Sequence, residues 1–199
     1  MKLAAICGQL NSGKGVVANL LVKEFGYASM AFADPLKRIL QQMFKIPDDV
    51  LWGPSEKRQG KVRNMLQELG TDFGRKYDPN IWITLTVDRI KHWRAYGEDK
   101  YGILPYVGYD HPLTEKIVIS DLRFPNEAEA LCFNWATKIF KVVRSDNFDG
   151  VDATQEQRNH PSEVEVDDIP SNIITATFIN DKGLEDLRNE TRKAVCTYL

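Results

Sequence analysis

Two glycines and a lysine, Gly8, Gly13 and Lys14, are spaced in a way that suits the binding of a polyphosphate. They belong to the segment 8–15, Gly-Gln-Leu-Asn-Ser-Gly-Lys-Gly, which follows the apolar run 3–7 and precedes an amphipathic stretch. In such a loop, backbone N–H groups surround phosphate oxygens, the start of the helix adds partial positive charge, and the lysine reaches the β and γ phosphates. The pattern therefore predicts a phosphate-binding loop between a strand and a helix.

Gly15 departs from the usual form of this loop, because a Ser or Thr hydroxyl normally stands there and contacts Mg²⁺. A second candidate for the metal is Asp121, which ends the apolar strand 116–121. An acid at the end of such a strand holds Mg²⁺ directly or through water. We expect Mg²⁺ to depend on Asp121 and water more than on the loop. The alternative role of Asp121 is to cap the following helix.

Arg123 and Glu127 follow Asp121 at the predicted end of that strand. The planar guanidinium of Arg123 is suited to a bidentate contact with a phosphate. For Glu127 two interpretations stand side by side, a role at the site and an acid that satisfies a helix N-terminus. Both residues are candidates for substrate binding.

The segment Asp34-Pro-Leu-Lys37 follows the second predicted strand and begins a helix. Lys37 could meet the phosphate of an acceptor, while Asp34 faces that acceptor or the metal. The alternative is an ordinary Asp-Pro helix start with a solvated lysine. Asp34 and Lys37 are therefore candidate substrate residues.

A third cluster lies in residues 69–82. Arg75 could supply a further phosphate contact, and Trp82 or Phe73 a flat surface for a nucleobase. Aromatic residues at helical spacing also pack in cores, and both interpretations of Trp82 remain open.

A polar stretch at about 145–161 is predicted to be a lid loop. Within it Arg158 could swing over a transferring phosphoryl group, and the segment His160–Glu163 could anchor the closing end. Arg144, at the preceding strand end, is a candidate of the same kind. Solvated arginines are the alternative for both.

The elements that must position these residues alternate between apolar runs and helical patterns, as in an α/β fold built on a parallel sheet. About five strands flanked by helices are predicted. The strands are 2–7, 28–32, 116–120, 138–143 and 173–178, and the helices are 14–25, 35–44, 62–77, 80–95, 125–135 and 183–196. We expect one domain over 1–199, with a helical insertion at about 34–96 for the acceptor and an ordered loop or small hairpin at 97–115.

Composition narrows the classes of partner. A net charge of −2 in 199 residues argues against a protein that coats polymeric nucleic acid or an anionic membrane. Three cysteines without metal-ligand spacing fit a reduced, cytoplasmic compartment. No stretch reaches membrane-spanning length. Monomer and homodimer both remain open.

Together these motifs resemble the deoxynucleoside monophosphate kinases of tailed bacteriophages, which are similar in fold to other P-loop nucleoside monophosphate kinases. The resemblance spans most of the chain. It rests on the motifs Asn11–Lys14, Phe32–Lys37, Gly70–Trp82, Ile119–Glu127 and His160–Glu163. The chain departs from many relatives at Gly15-Val16, where they carry Asp and Thr, and its Lys-Gly pair is similar to that of adenylate kinases.

The resemblance implies an ATP-dependent enzyme that converts deoxynucleoside monophosphates into diphosphates for viral DNA synthesis, in the cytoplasm of an infected bacterium. It implies ATP and Mg²⁺ as cofactors. The ATP-binding residues would be Gly8, Asn11, Ser12, Gly13, Lys14, Gly15 and Val16. Residues on the acceptor side or at the metal would be Asp34, Lys37, Arg75, Asp121, Arg123 and Glu127. Lys14, Arg123, Arg75 and Arg158 would supply the catalytic charge.

Three rival functions remain open. An alcohol kinase similar to dephospho-coenzyme A kinases would use Asp34 as a base toward a hydroxyl. A phosphomevalonate kinase has a similar loop and Asp-Pro-Leu-Lys region. A nucleotide-binding regulator that acts through partners is the rival from outside the enzymes.

Overall fold

Six strands form one sheet in the computed structural model of the chain, which describes residues 2–53, 58, 60–100, 102, 106–107, 114–144 and 160–199. The strands are β1 (Lys2–Cys7), β2 (Ala28–Met30), β3 (Tyr106–Val107), β4 (Lys116–Leu122), β5 (Lys138–Arg144) and β6 (Ile174–Asn180). Five of them pair in parallel, and β3 adds an antiparallel edge to β2. The predicted α/β fold with five parallel strands flanked by helices is thus confirmed.

The helices of the described residues follow the predicted pattern with small shifts at their ends. They are α1 (Lys14–Phe25), α2 (Asp34–Phe44), α3 (Asp48–Leu51), α4 (Lys61–Gln67), α5 (Ile81–Tyr96), α6 (Pro125–Asn134), α7 (Pro161–Val164) and α8 (Leu184–Tyr198). The helix predicted at 62–77 is divided, because α4 continues into a π-helical segment, Glu68–Arg75. The short helices α3 and α7 and the 3₁₀ turns at Glu165–Asp168 and Ser171–Ile173 have too few residues to show a hydrophobic period.

The strand order β3-β2-β4-β1-β5-β6 fixes which end of the sheet can hold a ligand. From β1 the chain passes over β4 to reach β2, and from β4 it passes over β1 in the opposite direction to reach β5. Since parallel crossovers are right-handed, α1 and α6 lie on opposite faces of the sheet. The connections therefore diverge between β1 and β4, and the crevice outside the carboxyl ends of these two strands is where such sheets bind ligands.

One core lies between the sheet and the helices α1 and α8. The alternate residues Ala4 and Ile6 of β1 face it, together with Val17 and Leu21 of α1 and Leu187 of α8. The other alternate residues of β1 are buried as well, which shows that both sheet faces are covered. Burial of both faces explains why residues 3–7, directly before the loop, are all apolar.

Two compact units are distinguished within the chain. Unit 1 comprises Met1–Ala31 and Pro105–Leu199 and contains the sheet, and unit 2 comprises Phe32–Leu104 and is helical. The single domain and the acceptor role of the 34–96 insertion stay predictions. No helix of the described residues is long and apolar enough to cross a membrane. Most of the predicted lid at 145–161 and much of the segment 97–115 lie outside the described residues.

Candidate active site

The phosphate-binding loop leaves the carboxyl end of β1 and runs directly into α1. Its backbone requires glycine at two positions. Gly8 has φ +142°, and a Cβ there would lie 2.2 Å from the carbonyl oxygen of Val142. Gly13 has φ +110° and stands at the N-cap of α1, where a Cβ would lie 2.9 Å from the Asn180 amide. Because L residues with side chains rarely adopt these angles, both glycines are demanded by the loop's shape.

Lys14 turns its ammonium back onto the loop. Nζ donates a hydrogen bond to the Gly8 carbonyl at 2.7 Å and another to the Gln9 carbonyl. Burial, and to a smaller extent the positive charge of Arg123, lower the pKa of Lys14 to about 7, against the opposing effect of the Glu163 carboxylate. A phosphate that took the place of the two carbonyls would favour the charged ammonium.

The rest of the loop is held by polar side chains from distant parts of unit 1. The buried Asn180 amide donates to the Ser12 carbonyl at 2.9 Å, and Arg144 Nη1 donates to the Asn11 carbonyl at 3.0 Å. Gln9 donates to the Asp167 carboxylate at 2.8 Å. Within the described part of the chain, the buried Ser12 hydroxyl has no hydrogen-bond partner. A ligand oxygen at the loop would satisfy it, which fits the predicted role in binding phosphate.

The two loop positions after Lys14 differ in environment. Gly15 is exposed, and a Cβ added there would meet nothing within 4 Å. Val16 packs against the core of unit 1. A hydroxyl side chain would therefore fit at position 15 without a steric clash.

Asp121 lies near the carboxyl end of β4, next to β1, and is partly exposed. The pairing of β4 with β1 is irregular here, since Ala5 faces Ile119 but Cys7 faces Leu122. One extra residue of β4 is accommodated, as in a β-bulge, a feature that re-aims side chains near active sites. Asp121 therefore reaches the edge of the sheet from which the loop departs.

The donor set around Asp121 fits Mg²⁺ that arrives with a nucleotide. Among the described residues no cluster of three His, Cys, Asp or Glu side chains could hold a metal. Mg²⁺ is usually held by one or two carboxylates, several waters and substrate phosphates rather than by a protein cage. One accessible carboxylate beside a phosphate loop is compatible with that mode.

Arg123 is fixed at both of its ends. Its backbone N–H donates to Glu127 Oε2 at 2.9 Å, and its Nη1 donates to the Ser162 carbonyl at 3.1 Å and forms an ion pair with the buried Glu163. Glu163 Oε2 also accepts a hydrogen bond from the Leu10 backbone at 2.6 Å. One carboxylate therefore connects the phosphate loop with Arg123.

The carboxylate of Glu127 accepts hydrogen bonds from backbone N–H groups. It is 1% exposed, and the same Oε2 also accepts from the Phe124 N–H at 3.1 Å, as in a capping box at the start of α6. This geometry matches the interpretation of Glu127 as a helix N-terminal acid. Its predicted contact with substrate stays a prediction.

In unit 2, Asp34 belongs to a buried charge cluster. Arg89 is fully buried in α5; its Nη1 donates to Asp34 Oδ2 at 2.6 Å, and its Nε pairs with Asp99. Lys37 Nζ lies 3.4 Å from Asp34 Oδ1 and 5.0 Å from the centre of the Trp52 ring. Both Asp34 oxygens thus contact cations, an arrangement that favours a positioning role over proton abstraction.

The aromatic candidates of unit 2 differ sharply in exposure. Trp82 is 6% exposed and its indole N–H donates to the Gly70 carbonyl at 2.7 Å, so it has the surroundings of a core residue. Phe73, in the π-helical segment, is 67% exposed, so its ring is more accessible to a ligand than that of Trp82. Arg75 is partly exposed, and its Nη1 lies 3.4 Å from the Pro79 carbonyl.

The remaining lid residues are only in part described. Arg158 lies outside the described residues. His160 is the N-cap of α7, where its Nδ1 accepts from the Ser162 N–H at 3.3 Å. This capping role accounts for the local shape of the segment that brings Glu163 to the loop.

Sequence reasoning missed three polar side chains that shape these sites: Asp167, Asn180 and Arg89. It placed Glu163 in the segment expected to anchor the closing end of the lid, without a separate role for the carboxylate. Asn180 ends the strand Ile174–Asn180, in which Phe178 is also buried while Thr177 and Ile179 are exposed, so that only its place at a strand end could have drawn attention to it. Arg89 carried a weaker signal, as a charged residue between the apolar positions Val87 and Ile90 of a helix.

Comparison with known proteins gives one relative over nearly the whole chain. No protein-family model matches. A protein of Acanthamoeba polyphaga mimivirus, provisionally named a deoxynucleotide monophosphate kinase, is 30% identical in an alignment that covers 96% of this chain and 94% of that protein. It comes from a giant virus, so the predicted likeness to bacteriophage enzymes in particular stays a prediction. The chain belongs to a family of nucleotide monophosphate kinase-like proteins.

Proposed function

We propose that the protein transfers the γ-phosphoryl group of ATP to deoxynucleoside 5′-monophosphates, giving diphosphates for DNA synthesis. One observation carries this proposal: the Glu163 carboxylate connects the phosphate loop, through Leu10, with Arg123 at the end of β4. A cation fixed beside a phosphate loop suits the charge that develops in phosphoryl transfer. The name of the mimivirus relative supports the same reaction.

In the proposed reaction an acceptor 5′-phosphate oxygen attacks the γ phosphorus in line. The bond from γ phosphorus to the bridging oxygen breaks, and ADP leaves with the electron pair. The acceptor's second phosphate pKa is about 6, so its oxygen is ionised at neutral pH and needs no general base. Alignment and neutralisation of two anions are the protein's task.

We assign the binding of ATP and Mg²⁺ to residues of unit 1. In unit 1 the loop N–H groups and the Ser12 hydroxyl would bind the ATP phosphates, with Lys14 at the β and γ phosphates. Arg123 would neutralise charge on the transferring group. Asp121 would hold Mg²⁺, which when bound neutralises charge between the phosphates.

On the acceptor side, we assign the monophosphate to residues of unit 2. Lys37 and Arg75 are partly exposed cations for its phosphate, with Asp34 positioning Lys37. Phe73 has the exposure that a base-stacking surface needs. A free mononucleotide, and not a nucleic-acid polymer, is the proposed partner.

The test is a panel of acceptors with ATP, measured as ADP formed in a coupled assay. The panel contains dTMP, dGMP, dCMP and dAMP, their ribonucleotide counterparts and mevalonate phosphate. We expect turnover with at least one deoxynucleotide and none with mevalonate phosphate. Lys14→Ala should abolish turnover, while Lys23→Ala, an exposed lysine in α1, should leave it unchanged. ATP binding without turnover of any monophosphate would overturn the proposal.

Asp34→Asn separates the proposed reaction from that of an alcohol kinase. The loss of a catalytic base would abolish kcat, whereas loss of a positioning charge should mainly raise the KM for the acceptor. We expect the rise in KM. A collapse of kcat at saturating acceptor would favour the alcohol kinase.

A further inference from the structure

Glu163 uses both oxygens of a buried carboxylate in contacts within unit 1. It is 4% exposed, Oε2 accepts from the Leu10 N–H at 2.6 Å, and Oε1 pairs with Arg123 Nη1. Burial of a carboxylate is unfavourable unless partners compensate for the hydration it loses. Both compensating partners here are groups of the candidate active site, the loop backbone and its arginine.

The contacts of Arg123 leave a defined part of its guanidinium for a ligand. Within the described part of the chain, its side-chain contacts to Glu163 and the Ser162 carbonyl both use Nη1. The side chain is 25% exposed. Since a guanidinium carries five N–H groups in a rigid plane, fixing Nη1 also fixes the direction of Nε and Nη2.

We propose that Glu163 is a positioning residue of the phosphoryl transfer, which holds the Arg123 guanidinium so that Nε and Nη2 face the phosphate. This inference rests on the proposed function. Glu163 touches neither nucleotide and acts through Arg123. Its bond to Leu10 keeps the loop and the guanidinium in one geometry, so that both contact the same phosphate chain.

The first test is Glu163→Gln. The amide oxygen can still accept the Leu10 N–H, but the NH₂ group is a donor that cannot pair with Arg123. We expect kcat to fall by about 10- to 100-fold, since a displacement of about 1 Å can cost about 10²-fold. KM for ATP should change by less than about threefold, because the loop contact is kept. Glu163→Asp keeps the charge and should recover part of kcat.

Asp168→Asn is the matched control. Asp168 is an exposed acid in the 3₁₀ turn that follows α7, and we expect its loss to leave kcat and KM unchanged. This control separates the effect of losing the Glu163 contacts from the general effect of removing one negative charge from the same segment.

A double-mutant cycle with Arg123→Gln tests whether Glu163 acts through that arginine. In the Arg123→Gln background, Glu163→Gln should lower the residual kcat by less than about twofold, because the interacting partner is already gone. The same 10- to 100-fold loss in both backgrounds would overturn the inference. So would a lowered melting temperature with unchanged kcat, or the failure of both Glu163 variants to fold, since each assigns Glu163 to stability.

The two proposals fail in different ways. A wild-type protein without turnover of any monophosphate overturns the proposed function. An active wild type with an equally active Glu163→Gln variant overturns the positioning role alone.

Discussion

The ammonium of Lys14 donates a hydrogen bond to the carbonyl of Gly8, 2.7 Å away, at the far end of the same loop. The lysine that defines the motif thus has a partner within the loop itself. Its pKa is lowered to about 7 by burial and by Arg123, so near neutrality its charge responds to pH. A polyphosphate must compete with the loop carbonyls and at the same time favours the charged form.

From this we expect the affinity for ATP to fall as pH rises above 7. Free protein loses the lysine proton through pH 7, whereas the ATP complex keeps it to higher pH, so binding takes up a proton. The loss approaches about tenfold per pH unit between the two pKa values. Calorimetry at pH 8 in buffers of different ionisation enthalpy measures the proton uptake. Lys14→Arg should give a flat profile, and an equal slope in that variant would contradict the assignment to Lys14.

Restoring a hydroxyl at position 15 should strengthen Mg²⁺ binding. Gly15→Thr adds a side chain in open space in the first turn of α1 and should not disturb the fold. We expect half-maximal activity at lower Mg²⁺ and a smaller penalty from Asp121→Asn than in the wild type. Gly15→Ala is the control, because it adds a Cβ in the same open space without an oxygen. An identical Mg²⁺ response in the Thr and Ala variants would exclude a metal contact at this position.

Gly8→Ala should damage the loop. The added Cβ would lie 2.2 Å from the Val142 carbonyl oxygen, in a backbone conformation that alanine rarely adopts. We expect a loss of about 1 to 3 kcal/mol in the free energy of unfolding, as for overpacked sites, and weaker ATP binding. Urea titration measures the first and calorimetry the second. Gly15→Ala, in the same loop but in open space, should be close to wild type in stability, and equal losses would contradict the steric argument.

Arg89→Met should destabilise unit 2. It removes a fully buried cation that pairs with both the Asp34 and the Asp99 carboxylates. Breaking a buried ion pair costs about 3 to 5 kcal/mol. Arg94→Met removes an exposed arginine from the same helix, α5, and should cost well under 1 kcal/mol. Similar urea midpoints for the two variants would show that the buried cluster contributes little.

The sheet and the phosphate loop were predictable because their signals are local. The run before Gly8 is apolar at every position since β1 is buried on both faces, and the Gly-rich turn follows it directly. The position of Asp121 at a strand end followed from the same kind of pattern.

The supports of the loop were not predictable, because their partners are remote in sequence. Leu10 and Glu163 are separated by 153 residues, and Ser12 and Asn180 by 168. No periodicity within a window links such pairs. The helical spacing of Trp82 did not predict whether its side chain is buried or exposed. Its burial depends on a contact with another segment, because the indole N–H donates to the Gly70 carbonyl.

The same long separations have a consequence for synthesis on the ribosome. The phosphate loop is synthesised before two side chains that shape it, Glu163 and, later still, Asn180. Closing such long loops is slow relative to local helix formation. A nascent chain that has passed residue 100 therefore carries the complete motif without these two side chains, and we expect it to bind ATP more weakly than the full chain.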